Sequence, residues 1–91
     1  MGEALDLFIG FIAEADEKEF AERLKKGDLL SEIEPFLPMV PEEIKQEIRS
    51  LKFSEVKKRV EEEVPEKAAL IEKQKKWKEL EEIFERLKKS L

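Results

Sequence analysis

Glu81, Glu82 and Glu85 place three carboxylates on neighbouring turns of one helical stretch, and Asp16, Glu19 and Glu22 do the same nearer the start of the chain. Paired carboxylates can share the work of general acid and base. They can also hold Mg²⁺ through one or two oxygens while water and a phosphate complete the shell. In a chain with 23 acidic residues such spacings arise readily from an ordinary salt-bridging surface. The sequence has no histidine, so a Glu-x-x-His di-iron motif has no second half.

Nucleophilic chemistry has as little to work with. Ser31, Ser50, Ser54 and Ser90 have no histidine base, which leaves only a serine–lysine pairing. The absence of cysteine removes a thiolate nucleophile, a disulfide framework and Cys-ligated zinc. The glycines, Gly2, Gly10 and Gly27, are too scattered for a phosphate-cradling loop. No metal, cofactor or small-molecule substrate is expected, and a small carboxylate- or Mg²⁺-dependent enzyme is the third-ranked reading.

Lys73, Lys75, Lys76 and Lys78 surround Trp77, and a basic patch with an aromatic ring suggests nucleic acid. At about 100° per residue, however, Lys75 and Lys78 point away from the face that Lys73 and Lys76 flank. A helix-turn-helix drawn over residues 17–34 would present LLSEIE to the groove, with two glutamates and no basic or amide side chain. The next helix offers Lys45, Gln46 and Arg49 but opens on Glu42 and Glu43. Residues 1–54 hold 13 acids against 7 bases, or −6, while residues 55–91 hold 10 against 11, or +1. The total of −5 repels phosphate backbones and anionic lipid surfaces. A nucleic-acid-associated regulator using Lys73–Lys78 is therefore the runner-up, and no membrane partner is expected.

The elements that would position these side chains are helical. Residues 3–15 read as a helix apolar on most of its circumference, through Leu5, Phe8, Ile9, Ile12 and Ala15 with Leu7 and Phe11 widening the stripe. Gly10 within it suggests a close backbone crossing. Asp16 and Glu19 resemble a capping box for a second helix that buries Phe20, Ala21 and Leu24 and ends at Lys26, with Gly27 as its left-handed cap. A short helix from Leu29 leads into a segment punctuated by Pro35, Pro38 and Pro41, which Phe36, Leu37, Met39 and Val40 are expected to pack down. Pro41 suits the start of a helix with Ile44, Ile48 and Leu51 on one face, and Ser54 suits the cap of another with Val56, Val60 and Val64.

Pro65 then starts or kinks a long last helix, residues 65–91. Leu70, Trp77, Phe84 and Leu91 recur at sevens with Leu80 and Leu87 between them, which are coiled-coil positions. Glu63–Lys67, Glu72–Lys76, Glu82–Arg86 and Glu85–Lys89 stand in the favourable i,i+4 sense. As one rod this helix would be roughly 40 Å long at 1.5 Å per residue. It would overhang a body of residues 1–64 that is only about 28 Å across.

The expectation is an all-α fold over residues 1–91, a small bundle of about five helices with a proline-rich loop at 35–41 and the long C-terminal helix. The overhanging stripe and the apolar first helix predict a non-enzymatic protein–protein interaction or self-association module. Its interface would use Leu5, Phe8, Ile9, Phe11, Ile12, Leu70, Trp77, Leu80, Phe84, Leu87 and Leu91, and its partners would be a second copy and another protein. The opening residues, which carry Glu3 and Asp6 and reach no cation before Lys18, resemble no secretory signal, so a cytoplasmic location is expected. The Lys/Glu-rich surface, poor in amides, follows the pattern of thermophile proteins.

Overall fold

Asp16 shows how locally most of the helix boundaries are set. Its carboxylate accepts a hydrogen bond from Lys18 N at 3.0 Å, which satisfies one of the orphan donors at the start of a helix. Glu19 does not reach back to complete the box but pairs with Arg23 one turn on. That helix ends at Gly27, where φ is 78° and the left-handed conformation costs glycine little.

The computed structural model describes residues 2–91, whose regular structure is all helical with no strand. The α-helices are α1 (Glu3–Glu14), α2 (Glu17–Lys26), α3 (Glu42–Ser50), α4 (Phe53–Glu63), α5 (Pro65–Gln74) and α6 (Trp77–Lys89), and 3-10 turns run from Ser31 to Met39. Six α-helices thus replace the expected five or so. The 3-10 run contains both Pro35 and Pro38. Proline's fixed φ suits 3-10 geometry, while the missing N–H groups keep the segment from becoming an α-helix. α4 begins at Phe53, before the predicted cap Ser54, and the Glu55 carboxylate accepts from Lys52 N at 3.3 Å.

The largest departure from the sequence reading is at Lys75. The predicted continuous helix 65–91 is broken there by a left-handed residue with φ 57° and ψ 45°. As a straight rod, the helix would exceed the 34 Å longest dimension of the whole molecule. It would also carry Leu80, Ile83, Phe84 and Leu87 into water, whereas all four are buried in the folded chain. Burying a large apolar side chain contributes about 1.5–3 kcal/mol, and a left-handed non-glycine residue costs about 1–2 kcal/mol. Packing wins, and α6 turns back onto α3 and α4.

The core gathers around Phe84. Its ring lies 5.3 Å from Phe8 of α1 in an edge-on contact and 5.7 Å from Phe53 of α4. Phe20 and Leu24 of α2 and Leu29, Leu30, Ile33 and Leu37 from the 3-10 region extend the same buried cluster. None of the four predicted i,i+4 ion pairs of residues 63–89 is present. Glu63 pairs with Arg59, Lys76 with Glu79 and Glu85 with Lys88, while Lys67 turns inward.

Candidate functional site

Among the described residues three large apolar side chains stand in solvent: Leu7 at 40% exposure, Phe36 at 60% and Met39 at 80%. Leu7 lies on the outer face of α1, where Asp6, Gly10, Ala13 and Glu14 are exposed beside it. Phe36 and Met39 belong to the 3-10 run alongside. Between the two elements runs an open groove of about 400 Å³, lined by Leu7, Gly10, Phe11, Ile33, Phe36, Leu37 and Val40, with Asp6 and Glu14 as its charged residues.

Each side of the groove has a local cause. α1 is apolar on most of its circumference, and packing against α3 and α4 covers only part of it. In the 3-10 run opposite, the core takes Ile33 and Leu37 and leaves Phe36 and Met39 facing outward. Sequence reasoning expected Phe36 and Met39 to pin the loop down; only Leu37, and in part Val40, do so.

Gly10 forms part of the floor. A Cβ built at this position meets nothing within 4 Å, so the expected backbone crossing is absent and the missing side chain leaves space in the groove. Gly10→Ala is therefore expected to raise the unfolding free energy by about 0.5–1 kcal/mol through helix propensity alone. Urea denaturation followed by circular dichroism measures this, and a loss of stability would show that the position is more crowded than the backbone indicates.

The electrostatics of the groove are one-sided. Its lining contains two carboxylates and no base. Arg59, which is not part of the lining, pairs with Asp6 at 2.9 Å and also with Glu63. Glu63 first and Asp6 second hold the Arg59 guanidinium above its ordinary pKa. Glu14 has no ion-pair partner among the described residues.

The residues predicted to form an interface are mostly consumed in the chain's own core. Phe8, Ile9, Ile12, Leu80, Phe84 and Leu87 are buried, and Leu5, Phe11, Leu70, Trp77 and Leu91 are partly buried against them. Of these, Phe11 is the one that lines the groove. Trp77 sits at the margin of the core, its ring 6.2 Å from Phe53 and covered by Lys57 Nζ at 5.1 Å from the centroid. The break at Lys75 scatters the lysine cluster: Lys73 lies in the last turn of α5, Lys75 forms the turn, Lys76 pairs with Glu79 at 2.9 Å, and Lys78 lies in the first turn of α6.

The other candidate groups are engaged locally. Ser31 Oγ donates to Asp28 O at 2.9 Å, Ser50 Oγ to Glu47 O at 3.1 Å and Ser90 Oγ to Leu87 O at 2.8 Å. Among the described residues no three acidic groups converge as metal ligands would, and no helix is long and apolar enough to cross a membrane. Comparisons with protein-family models, curated proteins and solved structures return no significant match.

Proposed function

We propose that this chain is a non-enzymatic docking module that receives an amphipathic helix of another protein in the groove between α1 and the 3-10 run. The observation that carries the reading is the exposure of Leu7 and Phe36 along an open apolar floor, with Met39 exposed on the same 3-10 run, while the other large apolar side chains among the described residues are buried wholly or in part. A helix lying in such a groove anchors through residues spaced i, i+3/i+4 and i+7.

Charge decides between occupants. A second copy presenting the same face would bring one lining of carboxylates, Glu14 unpaired among the described residues and Asp6 held by Arg59, toward another that offers no base, and like charges brought together across an interface are costly. A helix whose apolar stripe is flanked by lysine or arginine instead meets carboxylates at the rim. Three exposed large side chains also fall short of the roughly 800 Å² per partner that stable dimers bury. A modest, reversible complex fits better. Binding to nucleic acid has no support in the scattered lysines, and with α6 packed as it is Leu80, Phe84 and Leu87 offer no exposed seam to a second copy.

The test uses two synthetic helical peptides with identical leucine stripes, one flanked by lysines and the other by glutamates. Titration by fluorescence anisotropy should show the basic peptide binding at least about tenfold more tightly, with affinity falling as salt rises. Phe36→Ser together with Met39→Ser, both at exposed positions, should weaken that binding by a further factor of about ten or more. Equal affinity for the two peptides, or no response to the double substitution, would overturn the proposal.

A further inference from the structure

α2 and α5 end in the same backbone device. At the end of α2, Asp28 N bonds Arg23 O at 2.9 Å and Gly27 N bonds Leu24 O at 3.2 Å. At the end of α5, Lys76 N bonds Ile71 O at 3.0 Å and Lys75 N bonds Glu72 O at 3.1 Å. Both are Schellman caps whose pivotal residue is left-handed. The first uses glycine. The second uses Lys75, the only non-glycine residue with positive φ among those described.

Nothing in the local sequence asks for the second stop. From Glu66 to Leu91 there is neither proline nor glycine, and Glu72, Lys73, Gln74, Lys75 and Lys76 all favour helix. The sevenfold spacing of Leu70, Trp77, Phe84 and Leu91 comes into phase only when the helix runs straight through Lys75. Local preference and tertiary packing therefore pull in opposite directions at one exposed residue.

Within a single chain the conflict is settled by bending. Two chains can settle it otherwise: each straightens at Lys75 and lays its α6 into the other's body, where every contact of α6 is reproduced between chains. The Phe84 contacts with Phe8 and Phe53 and the 2.7 Å bond from Lys88 Nζ to Leu51 O are all kept. Only the hinge changes, and it changes toward the conformation its sequence prefers. We infer that Lys75 is the hinge of a domain-swapped dimer, so that the partner of α6 is a second copy of this chain. Exchange of an identical element is a low-cost route to dimers, and it uses none of the groove residues.

The proposal is tested on the full chain by light scattering after heating and slow cooling at roughly millimolar concentration, where mass action favours association. Lys75→Ala, with a slightly higher helix propensity and the same left-handed cost, should hold or raise the dimerisation constant, and Lys75→Gln, equal to lysine in propensity, should leave it near the parent value. Lys75→Gly, which relieves the bend, should lower it. The helix-favouring and glycine variants should differ by at least about tenfold, because two hinges change per dimer. The isolated dimer should persist on dilution until it is heated, since release of α6 requires unfolding. It should also survive Phe36→Ser with Met39→Ser, which separates it from the docking surface. Circular dichroism confirms that each variant is helical. Monomers in the parent chain and in Lys75→Ala alike, a dimer indifferent to Lys75→Gly, or one that dissociates at once on dilution would overturn the inference.

Discussion

Phe84→Ala is expected to lower the unfolding free energy by about 3–5 kcal/mol, the range for removing a fully buried phenylalanine. The ring has no measurable exposure and touches aromatic partners from both α1 and α4, so its loss opens a cavity where two helices meet the third. A domain of this size has on the order of 5–15 kcal/mol to lose, and the variant should melt far earlier than the parent. Trp77→Ala should cost less despite the larger ring. Trp77 is only partly buried, and its cation–π contact with Lys57 lies on the accessible side. Urea denaturation of both variants gives the order directly, and iodide should quench Trp77 fluorescence in part. A larger loss from Trp77 than from Phe84 would restore the heptad reading, in which Trp77 is the anchor.

The contrast between these two aromatics shows what the sequence could disclose. Both fall on the same sevenfold repeat, and periodicity gives no means of ranking them. Their difference arises from the bend at Lys75, which puts Trp77 at the first position of α6 and Phe84 in its middle. The bend has no local signal because tertiary packing imposes it against propensity. Gly27, Asp16, Pro41 and Pro65 were legible because each acts through its own backbone or its own short side chain on the adjacent turn. The all-helical class follows from such signals together with the apolar stripes.

The groove was half legible. The sequence of α1 is too apolar for one neighbour to cover, with Leu7 and Phe11 widening its stripe. Which of the loop's apolar residues face outward follows no regular period, since Phe36 and Met39 stand three and six residues after buried Ile33 and strict 3-10 spacing would stack all three. Hence Phe36 and Met39 looked like residues that fasten the loop. Lys67 was missed for a related reason. The i,i+4 rule assigns it to Glu63, four residues before it, but its bonds go to carbonyls 52 to 55 residues away.

Lys67→Met is expected to cost about 3 kcal/mol, because it removes the group that closes the end of α1. A helix leaves its last carbonyls without intrahelical donors and its C-terminus partly negative. The last turn of α1 has no basic residue of its own, and the next helix begins almost at once. Lys67 supplies the missing cation from α5, its Nζ donating to Ile12 O at 2.7 Å, to Ala13 O at 2.8 Å and to Ala15 O. An ammonium has three protons, and all three are used. Burial of the side chain to 6% exposure is tolerated because the carbonyls, the helix end and the Phe20 ring, 5.6 Å away, compensate the charge. Methionine keeps the length and apolar volume of the stem and so isolates the loss of the donors. Water can reach Ala13 and Ala15, which are not buried, but Ile12 is, so its carbonyl bears most of the cost. A buried acceptor left unpaired costs about 1–3 kcal/mol, and hydrogen bonds to charged groups contribute about 1.5–3 kcal/mol. Lys67→Arg should recover little, since a planar guanidinium cannot aim three donors at one point. Lys88→Met is the control, because Lys88 donates to the single carbonyl of Leu51 and should cost only about 1–2 kcal/mol. Urea denaturation ranks the three variants. If Lys67→Met proved no worse than Lys88→Met, water would be serving the end of α1 as well as the ammonium does, and Lys67 would be a buried stem with a replaceable head.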